Sequence, residues 1–265
     1  MENQQYPFDR VSSTSKNVTI DCSIVMPVFN EAGIVELTVR DWNRHLLEMG
    51  LEYELIIIND GSSDGTGRVL DRLRREIPQI RVIHQLNTGH SQAIRRGYSL
   101  ARGQYILQCD LNGRYEPEDF THLWEAKGTH KLVLANRTHR LDSLPRRILS
   151  SGLRQMTSLI CGVTLNDPNV PFRLCETETV QKFLPLLPLG WKSTNLAISI
   201  SVARDLPQMI CEVKIPFRKR AMGKSSTSLY VLTNLAFEYF TELLTLRNLL
   251  KSNRKKLTFL SPAAI

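Results

Sequence analysis

Residues 55–58 (LIII) form an unbroken aliphatic run that passes directly into nine residues of turn chemistry, 59–67 (NDGSSDGTG). A run this short and this apolar suits a strand buried on both faces, and such strands belong to parallel sheets covered by helices on either side. The flanking sequence fits that demand. Residues 23–28 (SIVMPV) read as a second buried strand, closed by Pro27 and Asn30. Residues 31–49 place apolar side chains at 34, 35, 39, 42, 46 and 47, the stripe of an amphipathic helix. A helix is expected over 66–76, a strand over 80–83, a helix over 90–102, and a strand over 105–109 that runs into Asp110. Strand and helix alternate, so the fold class is α/β with a doubly wound, mostly parallel sheet.

The second half is less regular. Strands are expected at 132–135 and 210–217, helices at 145–161 and 196–204, and a loop over 166–174 leading to a short strand. Residues 229, 232, 235, 236, 239, 240, 243, 246 and 250 form a helical apolar stripe, followed by a basic tail (KSNRKK). That stripe suits a core helix or a homodimer contact, and its basic flank also admits a helix lying in a membrane surface. Residues 1–20 show no apolar period and read as a flexible arm.

Composition narrows the function classes. With no run of 18 apolar residues there is no membrane-spanning helix, and the polar first 20 residues do not resemble a secretory signal. The five cysteines (22, 109, 161, 175, 211) are scattered and none forms a CxxC pair, so a disulfide framework and a structural zinc site are not expected. The expected compartment is the reducing cytosol, with peripheral contact on a membrane surface left open. The net charge of +8 hides an asymmetry: residues 1–130 carry 14 Lys and Arg against 18 Asp and Glu, and residues 131–265 carry 20 against 8. A basic half can attract a phosphorylated partner or an anionic membrane, or be ordinary solvated surface. Nucleic acid is not an expected partner, because the chain lacks aromatics interleaved on a basic face and any recognition motif.

In open parallel sheets, ligands bind beyond the carboxyl ends of the strands. Three strand ends here are polar: 27–31 (PVFNE), 59–62 (NDGS) and 110–112 (DLN). Side by side they gather Glu31, Asp60, Asp64 and Asp110 on one rim. Crowded carboxylates repel unless a base N–H, a ribose hydroxyl or a metal ion engages them, and a nucleoside diphosphate with a divalent cation supplies all three. The plain alternative for 59–67 is a tight strand-to-helix turn. An EF-hand loop is disfavoured because a strand precedes the segment, and GxGxxG and GxxxxGK[ST] are both absent.

The segments SIVMPVFNEA (23–32), LIIINDGSSDGT (55–66), LNTGHSQAIRRGYSLARGQYIL (86–107) and CDLN (109–112) resemble, in order and spacing, the family 2 glycosyltransferases of the GT-A fold. DPNVPFRL (167–174) is similar to that family's DPxxGFR loop, and FRKRAMGKS (217–225) to its FxxRxxGxS segment. The nearest branch is the polyprenyl-phosphate sugar transferases, such as dolichol-phosphate mannose synthases. The resemblance implies a GT-A domain over 21–228, with a nucleotide-sugar half (21–130) and an acceptor half (131–228), followed by a C-terminal helix and tail (229–265). It implies an inverting transfer from a UDP- or GDP-sugar to a phosphorylated lipid or a hydroxyl acceptor. By the same resemblance Pro27, Phe29, Asn30, Glu31, Asp60, Ser62 and Gly89 hold the nucleoside. Asp110, Leu111, Asn112 and Arg114 meet the diphosphate, and Arg220 and Ser225 close over it. Arg137, Arg146, Arg147 and Arg173 grip the acceptor. His90 follows the NTG turn where relatives carry a small or basic residue near the nucleotide.

Two departures matter. The family usually ends its DxD motif with a second Asp, and here Asn112 stands there, with Arg114 two residues on. An amide is a poorer ligand for a hard cation than a carboxylate. Three readings follow: Asp110 and Asn112 still hold Mg²⁺ or Mn²⁺; Arg114 supplies the positive charge and the metal is weak or dispensable; or the chain is a nucleotide-sugar-binding pseudoenzyme. Pro171 replaces the usual Gly of the DPxxGFR loop and stiffens it. A lipid-phosphate acceptor needs no strong base, whereas a hydroxyl acceptor does, and Asp167 is the candidate.

Overall fold

The computed structural model describes residues 19–111, 115–138, 144–216 and 229–258; at 137–138, 144–150, 229–237 and 253–258 it describes backbone only. Seven strands form one sheet: β1 (Cys22–Val28), β2 (Tyr53–Asp60), β3 (Ile80–Gln85), β4 (Tyr105–Gln108), β5 (Leu132–Thr138), β6 (Arg173–Glu176) and β7 (Ile210–Pro216). Their order is β3-β2-β1-β4-β6-β5-β7. Every pairing is parallel except those of β6, which runs against both β4 and β5. The seven residues of β1 and the eight of β2 are all buried, as the apolar runs require.

Among the described residues eight helices flank the sheet: α1 (Val35–Glu48), α2 (Thr66–Glu76), α3 (His90–Leu100), α4 (Pro117–Ala126), α5 (Leu144–Cys161), α6 (Thr177–Phe183), α7 (Thr194–Asp205) and α8 (Leu229–Thr258). Helix α1 starts four residues later than its apolar stripe suggests, because 29–34 is spent in a turn. Helices α4 and α6 were not expected from periodicity. The start of α4 is a capping box: Glu116 N donates to Asp119 Oδ2 at 2.9 Å and Pro117 opens the helix.

The chain goes from β1 outward through β2 to β3, then returns across β1 to β4. The order therefore reverses between β1 and β4, which is where a doubly wound sheet leaves a crevice at its carboxyl edge. Aromatic packing fixes the far wall. Trp42 of α1 meets Phe120 at 6.1 Å and Phe172 at 6.4 Å, and Phe172 stacks on Tyr115 at 4.4 Å and 7°. This ties the 167–172 loop to the segment that follows Asp110. In α8, Leu243, Leu246 and Leu250 are buried, and Tyr239 Oη lies 3.3 Å from Thr157 Oγ1 of α5. Of the stripe residues whose side chains are described, Leu243, Leu246 and Leu250 thus pack into the chain's own core and Tyr239 lies against it, while Phe240 is exposed. No helix among the described residues is long and apolar enough to cross a membrane.

Candidate functional site

The turns after β1 and β2 are clasped by side-chain hydrogen bonds. Asn30 N donates to Ser62 Oγ at 2.9 Å and Ser63 N to Asn30 Oδ1 at 2.8 Å. Glu31 N donates to Thr66 Oγ1 and Ala32 N to Asp64 Oδ2, both at 3.0 Å. Asn30 has φ +55°, a left-handed conformation that Asn tolerates better than most residues. Burial raises the Asp64 carboxyl, but hydrogen bonds from Thr66 and Ala32 outweigh it and hold the pKa below its ordinary value. Asp64 is therefore a loop fastener, and Asn30 and Ser62 are held in the same clasp.

Asp60 ends β2 and is 3% exposed. Its Oδ1 accepts from Thr88 N at 2.9 Å, Gln85 Nε2 at 2.7 Å and Thr88 Oγ1 at 3.1 Å, and its Oδ2 accepts from Gly89 N at 2.9 Å. The carboxylate thereby pins the turn before α3. Gly61 makes that approach feasible: at φ +79°, a Cβ there would stand 2.7 Å from Asn87 N.

A pocket of about 150 Å³ opens above these strand ends, lined by Pro27, Val28, Phe29, Asp60, Asn87, Gly89, His90 and Ala93. Phe29 is 48% exposed, an apolar ring presented to solvent at the pocket mouth. His90, the first residue of α3, reaches from this pocket to the end of β4, with Nε2 3.5 Å from Asp110 Oδ1. Strands β2 and β4 flank β1, so Asp60 at the end of β2 and Asp110 two residues past the end of β4 follow strands roughly 10 Å apart, two inter-strand spacings. One cleft thus has an aromatic face and a buried carboxylate at one end and a second carboxylate at the other.

The structure brings Pro27, Phe29, Asp60 and Gly89 into one pocket and sets Asp110 beside it. Glu31 does not line that pocket. Leu111 is buried, so its side chain belongs to the core and not to a ligand. Asn112, Arg114, Arg220 and Ser225 lie outside the described residues. Arg137 ends β5, and Arg146 and Arg147 fall in the first turn of α5; β5 runs parallel to β4, so all three backbones lie toward the Asp110 edge. Asp167 sits in the loop before β6, where its carbonyl accepts from Val170 N.

Arg173 overturns its expected role as an acceptor ligand. It is 0% exposed and all five guanidinium N–H donors are taken. Nε and Nη2 donate to Val170 O, Nη2 also to Pro168 O, and Nη1 to Asn195 O and Ser199 Oγ, at 2.6–3.0 Å. No donor remains for an acceptor phosphate. The residue instead folds the 167–172 loop onto α7.

Sequence reading did not single out Val28, Asn87 or Ala93 as site residues. Isolated residues carry no pattern; the close approach of α3 to β1 brings Ala93 and His90 to the rim. At that contact a Cβ on Gly97 would stand 2.3 Å from Val25 Cγ1.

Comparisons with known proteins agree with this geometry. A family model described as Glycosyl transferase family 2 matches residues 23–175. An undecaprenyl-phosphate 4-deoxy-4-formamido-L-arabinose transferase of Shewanella sediminis is 30% identical over 234 residues, covering 86% of this chain and 69% of that relative. A dolichyl-phosphate beta-glucosyltransferase of Dictyostelium discoideum is 26% identical over 235 residues, covering 81% of this chain and 72% of its own. The chain thus spans about two thirds of the length of such relatives. Glucosyl-3-phosphoglycerate synthase of Mycobacterium tuberculosis, solved with Mn²⁺, UDP-glucose and phosphoglyceric acid, shares the fold with a TM-score of 0.64 at 18% identity, over 86% of this chain and 80% of that one. A parallel sheet with its crevice at the β1–β4 reversal, a family model matched over more than half the chain and a relative at 30% identity lead to one statement: the chain belongs to glycosyl transferase family 2 and is a glycosyltransferase of the GT-A fold.

Proposed function

We propose that this glycosyltransferase moves a sugar, with inversion, from a nucleotide-diphosphate sugar (UDP- or GDP-linked) to the phosphate of a polyprenyl-type lipid. The observation that supports this most is the single cleft joining Phe29, Asp60 and His90 to Asp110. The base would lie against Phe29 near Asp60 and the diphosphate beside Asp110. Arg220 and Ser225 would close over the diphosphate, and Arg137, Arg146 and Arg147 would take the acceptor phosphate, a task suited to bidentate guanidinium groups. The relatives named for undecaprenyl-phosphate and dolichyl-phosphate support the acceptor class. The pseudoenzyme reading finds no support among relatives that are themselves named transferases.

A divalent cation fits the donor set as half a site. Among the described residues no three His, Cys, Asp or Glu side chains are grouped to hold a metal. Mg²⁺ commonly needs only one or two carboxylates, with substrate phosphates completing the shell. Asp110, with Asn112, would hold it. When bound, the cation supplies positive charge against the departing diphosphate. Structures of the M. tuberculosis synthase with UDP and Mn²⁺ or Mg²⁺ support this assignment.

A lipid phosphate oxygen is already anionic, so the chain need only orient it for in-line attack at the anomeric carbon and exclude water. A hydroxyl acceptor is the second reading. It would need a base, and Asp167, on the loop stacked beside the Asp110 segment through Phe172 and Tyr115, is the carboxylate for it. A lipid acceptor would also bring the enzyme against a membrane surface, where Arg247 and Lys251 of α8 would meet anionic headgroups.

Incubation with labelled UDP- and GDP-sugars, Mn²⁺ and vesicles containing undecaprenyl phosphate tests the proposal. Label extracted with the lipid as a sugar phosphodiester supports it. Transfer only to soluble hydroxyl compounds, abolished by Asp167→Asn, establishes the second reading instead.

A further inference from the structure

We propose that Gln108, Asn195 and Tyr98 form a buried relay that positions the carboxylate of Asp110; the proposal rests on the donor-site reading given above for that carboxylate. The three side chains come from β4, α7 and α3 and are 0%, 4% and 0% exposed. Tyr98 Oη lies 2.8 Å from Asn195 Oδ1, Asn195 Nδ2 lies 2.9 Å from Gln108 Oε1, and Gln108 Nε2 lies 3.0 Å from Asp110 Oδ1.

The polarity of this chain follows from its last member. An ionised carboxylate only accepts, so Gln108 must turn its NH₂ toward Asp110 and its carbonyl toward Asn195. Asn195 must then give its NH₂ to Gln108 and its carbonyl oxygen to Tyr98, which must donate. All three donors point toward the rim, and hydrogen bonds aligned head to tail in a dry interior strengthen one another. The backbone of the middle member is itself anchored, since Arg173 Nη1 donates to the main-chain carbonyl of Asn195 at 2.7 Å. Buried amide and phenol side chains are costly unless paired. Here they pair in a line that ends on the one carboxylate at the mouth of the β4 strand. Gln108, Asn195 and Tyr98 are positioning residues, since they reach the donor only through Asp110.

The test compares Gln108→Leu and Asn195→Leu with Leu196→Ala, a core truncation one residue away that leaves the relay intact. Three readouts are taken: the melting temperature, Mn²⁺ affinity by electron paramagnetic resonance, and metal-free crystal structures. The relay variants are expected to weaken Mn²⁺ binding by about 10-fold or more, the usual scale for an outer-shell partner. They are also expected to move Asp110 out of its wild-type rotamer, while Leu196→Ala lowers the melting temperature and changes neither. Asp110 unmoved in Gln108→Leu, or Mn²⁺ affinity falling equally in Leu196→Ala, overturns the relay. Wild-type protein that binds no Mn²⁺, with Asp110 displaced in Gln108→Leu, overturns the metal assignment and leaves the relay standing.

Discussion

Phe29 and Asp60 face the same pocket but do different work. Phe29 is half exposed, so Phe29→Ala should lower the melting temperature far less than truncation of a buried aromatic. It should weaken nucleotide binding by roughly 1–3 kcal/mol, the scale of a base–aromatic stack, measured by calorimetry. Asp60 also holds Thr88 N and Gly89 N, so Asp60→Ala should cost both binding and roughly 2–4 kcal/mol of stability from two orphaned amides. Arg173→Lys should destabilise the fold by about 3 kcal/mol, because an ammonium cannot replace five forked donors on four oxygens. In chemical denaturation the midpoint should fall, while the KM for acceptor in the residual folded enzyme stays at its wild-type value. Sequence reading put Asp60 and Phe29 at neighbouring strand ends because an apolar run that stops at turn residues is legible, and both line one pocket. It misread Arg173 because a motif gives residue types and not burial. The relay was illegible for a related reason: residues 98, 108 and 195 show no shared periodicity and meet only through the packing of α3 and α7 on β4.

At the scale of elements, the amino ends of the strands are stapled by one carboxylate. Glu54 of β2 accepts from Ser23 Oγ at 2.7 Å and Arg102 N at 2.9 Å, and pairs with Arg81 at 2.6 Å and Arg102 at 3.0 Å. Burial raises its carboxyl, but the bonds from Arg81, Ser23 and Arg102 outweigh it, so its pKa lies below the ordinary value. The unfolded chain therefore takes up this proton at higher pH than the folded one. The staple's contribution is fully present above the unfolded carboxylate range and is lost as pH falls through the folded pKa. Glu54→Gln should be less stable than wild type by roughly 3 kcal/mol near neutral pH, with the gap narrowing in acid, as read from denaturation midpoints at several pH values. The α3–β1 contact gives a second test at this scale. Gly97→Ala drives a methyl into Val25 and should cost about 1–3 kcal/mol, with partial recovery in the double variant carrying Val25→Ala. Most elements were legible, since their stripes and runs are strong. Helix α6, with seven residues, is too short to show a period, and α4 went unread too, its strongest sequence signal being the Glu–Pro–Glu–Asp start rather than its apolar face.

For the whole molecule, one sheet runs through both halves of the chain, and its order sets the carboxyl ends of β1, β2 and β4 side by side. Alternation of strand and helix made the parallel class legible. The antiparallel insertion of β6 between β4 and β5 was not, because four residues carry too little pattern to reveal direction. That strand starts from the loop that packs against the segment following Asp110, a contact only the folded chain displays. The cleft itself is best tested by crystals soaked separately in saturating UDP, GDP, CDP and ADP with Mn²⁺. For at least one nucleotide, density should show the base against Phe29 and Asp60 with the diphosphate alongside Asp110. A nucleotide bound elsewhere, or none bound at all, would contradict the assignment of this rim as the donor site.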